Sequence, residues 1–169
     1  MIKKQYLMIP GPTPVPEKIL ATMVRQMVGH RDTEFAKILM NVTQGVKKCL
    51  KTENDLFIIP SSGTGGMEAA IVNTLSIDDP VLVLNIGAFG SRFTNILKAY
   101  NADVEEIRFE RGKSADVNLV EKRLKQKKYK AVCFQHNETS TGVLNDVKLL
   151  AETIKKYDSL IIVDAVSGL

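Results

Sequence analysis

From Pro80 onward the chain alternates short apolar runs with amphipathic stretches, and that rhythm restricts what it can fold into. "PVLVLN" (80–85), "DVEEIRF" (103–109), "KAVCFQ" (130–135) and "SLIIVDAV" (159–166) read as strands, and "DLFIIP" (55–60) reads as an earlier one. Between them, apolar residues recur at helical spacing: Phe93, Ile96, Leu97 and Tyr100; Leu119, Val120 and Leu124; Val147, Leu150, Ala151 and Ile154. Several of the runs are continuously apolar, as strands covered on both faces are. The expectation is an α/β fold: a mostly parallel sheet with helices on both faces and right-handed crossovers.

The segment before this alternation has a different character. "IPGPTPVPE" (9–17) holds most of the six prolines. Proline fixes φ and removes a backbone donor, so this stretch is expected to be an extended arm. A helical pattern follows through Ile19, Leu20, Met23, Val24 and Met27, and "GHRDTEF" (29–35) interrupts it. A second helix should then run to about Leu50, with Phe35, Ile38, Leu39, Val42 and Val46 on its apolar side. The stop at "VSGL", directly after a core strand, reads as a truncation, because such a fold continues into a helix there.

A length of 169 residues fits one α/β domain with a sizeable core. The apolar content of 44% and charged content of 25% are those of a globular protein. The net charge of +4 comes mostly from scattered lysines. The densest cluster, "EKRLKQKKYK" (121–130), lacks the aromatic interleaving of a nucleic-acid surface and reads as a solvated helix face. Cys49 and Cys133 have no C-x-x-C spacing, which points to reduced thiols in a reducing compartment. Prolines interrupt the N-terminus before a signal-peptide core could form, and no run approaches the roughly 20 apolar residues that cross a bilayer. The reading is a cytoplasmic protein with neither nucleic acid nor membrane as partner, and without a metal-ligand pattern.

Ligands of open α/β sheets sit beyond the carboxyl ends of the strands. The residues there are "SSGTGG" (61–66), "NIGAFG" (85–90), "HNETSTG" (136–142) and "DAV" (164–166). The first is a glycine- and hydroxyl-rich turn at a helix start, where free N–H groups and the helix dipole favour an anion. It is not a Walker A loop, since no lysine follows its last glycine, and Glu68 stands where a dinucleotide fingerprint has its third glycine. A plain helix-capping turn has the same shape. Phe89 suits stacking on a planar ring, or serves as a hydrophobic plug. His136 is as a rule a hydrogen-bonding loop residue. Asp164 ends an apolar run, so it either caps the next helix or meets a cationic partner. Taken together, a phosphate cradle, a stacking aromatic and a ring-facing carboxylate describe a phosphorylated, protonatable heteroaromatic, with pyridoxal 5'-phosphate as the candidate.

"PGPTPVPEKIL…VGHRDTEF", "SSGTGGMEAA", "NIGAFGSRF", "NETSTGVL" and "IIVDAVSGL" resemble, in this order, the class V aminotransferases, closest to the alanine/serine–glyoxylate (or pyruvate) branch. The resemblance implies the large domain of a fold-type I pyridoxal-phosphate enzyme working as a homodimer. On that pattern residues 1–28 are an N-terminal arm and first helix, and 29–169 begin the large cofactor-binding domain. Ser62, Gly63 and Thr64 would hold the cofactor phosphate, and Phe89 would stack on its ring where the family often has Trp. Thr139 would lie near the phenolic oxygen and Val166 against the other ring face. Asp164 is the candidate catalytic residue, pairing with the pyridine nitrogen and keeping it protonated. The family's cofactor-binding lysine and substrate-binding arginine fall past Leu169, so the fragment by itself is expected to be inactive. His30 and Arg31 are as readily structural as substrate-facing. The implied reaction moves an amino group from alanine or serine to a 2-oxo acid such as glyoxylate or pyruvate. The alternatives are a cysteine-desulfurase-like reaction on the same fold and a non-catalytic phosphate-ligand binding domain.

Overall fold

A computed structural model describes residues 7–168; residues 1–6 of the arm and Leu169 lie outside the described residues. The chain forms two compact units that divide between Pro60 and Ser61.

The first unit contains α1 (Glu17–Thr22) and α2 (Thr33–Leu50), preceded by the irregular proline-rich arm. The helical pattern had been expected to persist to Met27, but α1 stops at Thr22, whose hydroxyl bonds back to the Ile19 carbonyl at 2.7 Å. None of its residues is buried, so no packing rewards a longer helix, and short helices without packing are marginal. α2 matches its expected span closely. The strand expected at 55–60 does not form: Phe57 is 82% exposed, and the segment pairs with no strand among the described residues. An apolar run becomes a strand only where a neighbour completes its backbone hydrogen bonds.

The second unit is the α/β body. Its elements run α3 (Gly63–Thr74), β1 (Pro80–Asn85), α4 (Ala88–Ala99), β2 (Asp103–Arg108), α5 (Val117–Gln126) and β3 (Ala131–Gln135), followed by the short β4 (Asn137–Glu138) and β5 (Val143–Leu144), then α6 (Val147–Ile154) and β6 (Leu160–Asp164). The main sheet is four-stranded and parallel, in the order β2-β1-β3-β6, and β4 and β5 form a separate antiparallel pair. That small pair is not legible from sequence, where "HNETSTG" reads as a loop.

Side-chain alternation divides the core between the two faces of the sheet. Leu82, Leu84, Val132 and Phe134 pack with Val120 and Leu124 of α5 and with Leu150 and Ile154 of α6. Val81, Val83, Ala131 and Cys133 turn the other way, toward Met67 and Ile71 of α3 and Phe93 and Leu97 of α4. Helices on both faces explain why β1 and β3 are buried almost throughout. β6 reads from sequence as equally buried, but Ile162 is its one buried residue, because β6 lies at the end of the strand order.

Both cysteines are free, Cys49 exposed and Cys133 enclosed in the sheet. Burial pushes the Cys133 thiol up to about 12, so it carries essentially no thiolate at neutral pH. A thiol reagent at about pH 8 should therefore modify Cys49 in the native chain and reach Cys133 only after denaturant is added. Equal labelling rates at both positions would contradict the packing described here.

Candidate active site

The strand order reverses between β1 and β3: the chain leaves β1 for β2 on one side and returns to β3 on the other. Such a switch point leaves a crevice at the carboxyl ends of the strands. A cleft of about 170 Å³ lies there, lined by Ser62, Gly63, Thr64, Phe89, Thr139, Asp164 and Val166, together with Met67, Arg92 and Ser167. Every site residue picked out from the sequence is in this lining. Had Asp164 and Ser62 lain at opposite edges of the molecule, that grouping would have failed. His136 stays outside it: its N–H bonds the Asp164 carbonyl at 2.8 Å, and its own carbonyl accepts from Asn145 at 2.8 Å. His30 and Arg31 belong to the first unit.

The helix starts in the second unit differ in one respect. α5 and α6 are capped internally, by Asp116 accepting from Asn118 N–H and Asp146 accepting from Leu149 N–H. At α3, Ser62 occupies the cap position without a side-chain cap bond. The first-turn N–H groups of Gly63, Thr64 and Gly65 therefore have no helical acceptor, and the positive end of the dipole is unopposed. A methyl group on Gly63 would come within 2.8 Å of Val166 Cγ2. Glycine there lets the exit of β6 close over the start of α3, which brings Asp164 and the helix terminus into one cleft.

Asp164 is the last residue of β6, and one of its carboxylate oxygens accepts from Val166 N–H at 3.0 Å. Among the described residues no salt bridge reaches Asp164. Thr139 meets Ser167 through their hydroxyls at 2.8 Å, tying the loop after β3 to the loop after β6.

Sequence reasoning missed Arg92. Its guanidinium donates to Thr64 Oγ1 at 2.8 Å and lies 4.8 Å from the centroid of the Phe89 ring. A positive charge over an aromatic face is attractive, and here it ties the two walls of the cleft together. The signal was present in the spacing: Arg92 stands three residues after Phe89 on α4, which places both on one helix face.

The loop carrying Phe89 is held from below by Glu106 of β2. Asn85 Nδ2 donates to Glu106 Oε1 at 2.6 Å and Thr94 Oγ1 donates to the same oxygen at 2.8 Å, while Arg108 pairs with Oε2 at 2.6 Å. Asn85 Oδ1 in turn accepts from Gly87 N–H at 2.9 Å.

The aminotransferase class-V family model matches residues 5–169. The chain belongs to that family. It is 44% identical over 98% of its length to an uncharacterized aminotransferase of Methanocaldococcus jannaschii, spanning 43% of that protein. It is 42% identical over its whole length to the soluble hydrogenase 42 kDa subunit of Anabaena cylindrica, spanning 45% of it. Identity to the L-aspartate–glyoxylate aminotransferase of Paracoccus denitrificans is 34%, over the whole chain and 44% of the relative. Among solved structures, the alanine–glyoxylate aminotransferase of Nostoc sp. superposes with a TM-score of 0.94 at 28% identity, covering 100% of this chain and 45% of that one. The chain thus spans less than half the length of the relatives it matches. Its parallel sheet with helices on both faces is the fold of these pyridoxal-phosphate enzymes.

Burial pushes the Glu106 carboxyl up, but hydrogen bonds from Asn85, Arg108 and Thr94 outweigh it and leave the group below its ordinary 4.5. A carboxyl lowered on folding stabilises the folded chain above its unfolded value, and that contribution disappears as pH falls through the lowered one. Between about pH 5 and pH 3, the unfolding temperature of the unaltered chain should fall more steeply than that of Glu106→Gln. Parallel curves would remove Glu106 from the account of this loop.

Proposed function

We propose that this chain supplies part of the pyridoxal 5'-phosphate site of an aminotransferase that moves an amino group from a small amino acid, alanine or serine, to a 2-oxo acid such as glyoxylate or pyruvate. The observation that carries the reading is the convergence of an uncapped helix terminus, an aromatic wall and an unpaired carboxylate in one cleft. The residues fit the cofactor on their own chemistry. Free N–H groups at α3, with the hydroxyls of Ser62 and Thr64 and the guanidinium of Arg92, suit a phosphate. Asp164, without a protein cation, suits a protonated ring nitrogen. Phe89 and Val166 would give the ring two apolar walls, and the Thr139 hydroxyl is a polar group of the same lining suited to the ring oxygen.

When bound, pyridoxal phosphate supplies an electron sink for the negative charge left at an amino acid's Cα after proton loss. Asp164 would pair with a protonated ring nitrogen and so keep the ring electron-poor. The α3 terminus would hold the anionic tail, and Phe89 and Val166 would exclude water from the ring faces. No lysine lines the cleft among the described residues.

Relatives support glyoxylate as the acceptor: the Paracoccus and Nostoc enzymes differ in the named donor, aspartate against alanine, yet share it. The transferase reading is preferred to the one in the Anabaena relative's name because cradle, ring wall and carboxylate are all present. We further propose a homodimer in the cytoplasm, with residues 1–28 as an arm and 29–169 as the start of the large cofactor-binding domain. Supporting this are the apolar side of α2, where Ile38, Leu39, Val42 and Val46 are exposed, and the two free thiols. No described helix is long and apolar enough to cross a membrane.

Pyridoxamine 5'-phosphate, which has no aldehyde to react with surface lysines, is the probe for this reading. It should bind the chain saturably, and Asp164→Ala combined with Ser62→Ala should weaken binding by about 100-fold, since each removes a charge-assisted or polar partner. Binding that is absent, or indifferent to both substitutions, would overturn the cofactor assignment. In the whole protein, glyoxylate with alanine or serine should yield glycine; formation of alanine from cysteine, with sulfide appearing once a thiol reductant is added, would favour the desulfurase chemistry instead.

A further inference from the structure

We propose that Glu138 is a positioning residue for the cofactor cleft: its buried carboxylate captures the start of α4 and thereby sets the Phe89 ring, while its backbone delivers Thr139 to the opposite wall. The proposal rests on the cofactor reading above for what the ring is for, but not for how the ring is held.

Glu138 is fully buried, and a buried carboxylate is costly unless its lone pairs are matched. Here they are matched by donors from two loops. Oε2 accepts from Phe89 N–H at 3.0 Å and Gly90 N–H at 3.2 Å, both in the first turn of α4. Oε1 accepts from the Ser140 hydroxyl at 2.7 Å and from Ser140 N–H at 3.3 Å. The Ser140 hydroxyl in turn accepts from Ala88 N–H at 3.0 Å. The orphan donors of the first turn of α4, which has no side-chain cap of its own at Gly87, thus end on Glu138 directly or through Ser140. The negative charge sits at the positive end of the helix dipole, which strengthens the arrangement.

Gly87 is what makes room for this. A Cβ there would stand 2.5 Å from Glu138 Cγ and 2.6 Å from its carboxyl carbon. The glycine between Ile86 and Ala88 is therefore explained by the side chain packed against it.

The consequence for the cleft is specific. Phe89, whose N–H is held by Glu138, and Thr139, which follows Glu138 in the chain, both line it. One carboxylate ties together two walls carried on segments 49 residues apart in sequence. The main-chain carbonyl of Glu138 also closes its own loop, accepting from Thr141 N–H at 3.1 Å and Gly142 N–H at 2.8 Å.

The test combines amide hydrogen exchange with pyridoxamine 5'-phosphate titration in the full chain. Glu138→Ala should speed exchange at Phe89 and Gly90 while β1 and β3 amides keep their protection, and should weaken probe binding about tenfold. If the carboxylate acts through Phe89, the two effects must couple: in a Phe89→Ala background, Glu138→Ala should cost less than about twofold. Glu138→Gln keeps one acceptor oxygen and should retain binding within about threefold, with faster exchange at Ser140. Unchanged exchange at Phe89 and Gly90 in Glu138→Ala, or the same fold-loss with and without the Phe89 ring, would overturn the proposal. Should Glu138→Ala fail to fold, Glu138→Gln decides, and wild-type protection at Phe89, Gly90 and Ser140 together would overturn it. Absence of probe binding to the unaltered chain would overturn the cofactor reading, and the exchange result would still decide the role of Glu138.

Discussion

β3 is hydrogen-bonded in parallel to β1 on one side and to β6 on the other, and the cleft depends on that double pairing. Parallel neighbours end on the same edge of a sheet, so the loops after β1, β3 and β6 emerge on one rim without any need for long connections. The pairing is fixed by burial: Val132 and Phe134 face one helix layer and Ala131 and Cys133 the other, each fully buried. Slipping the register by one residue would exchange these sets and leave a small-residue face where Phe134 now fills the core. The position of Asp164 opposite Gln135, and hence at the rim, follows from that register.

The strand ends then need ties that hold the loops to one another, and the structure uses polar groups for this instead of apolar packing. Glu106 holds the β1–α4 turn through Asn85 and Thr94, Glu138 holds the first turn of α4, and the hydroxyls of Thr139 and Ser167 join the last two loops. Hydrogen bonds are directional, so they fix where a side chain points more sharply than burial does. A rim built this way offers a ligand defined donors and acceptors while the apolar core beneath it supplies the stability.

What the sequence made legible follows the same division. Strands β1 and β3 could be read because burial on both faces leaves continuous apolar runs, helices α2, α4, α5 and α6 because apolar residues recur at helical spacing, and the edge strands β2 and β6 from their place in the strand–helix alternation. Phe89, Thr139, Asp164 and Val166 could be placed on one rim because parallel strands require it, whereas Ser62, Gly63 and Thr64 follow no strand and were legible as a glycine- and hydroxyl-rich helix start that the class-V pattern matches. "DLFIIP" misled because apolar composition records a tendency to be covered and says nothing about which strand does the covering. Glu138 and Arg92 were passed over for a related reason. A carboxylate in "HNETSTG" and an arginine in a helix look like solvated charges until the fold brings in the Phe89 amide for one and the Phe89 ring for the other. The partners of Glu138 lie nearly 50 residues off in sequence, where no local pattern reaches them, whereas the spacing of Arg92 to Phe89 on α4 did carry the signal.

The charges that line the cleft narrow what it accepts. Arg92 and the open end of α3 are positive, and Asp164 is negative. A ligand that is purely anionic would satisfy the first pair and be repelled by the second, whereas a neutral aromatic would desolvate both ends and match neither. A molecule with an anionic group at one end and a protonated ring nitrogen at the other is attracted at both, and it is also oriented, because reversing it places like charges together. In a partly enclosed site, where charges act through a lower effective dielectric than water, such reversal costs several kcal/mol for charges about 4 Å apart. The apolar pair Phe89 and Val166 then adds affinity for a flat ring without any preference of its own for direction. For such a ligand, orientation would be set by electrostatics and depth by stacking.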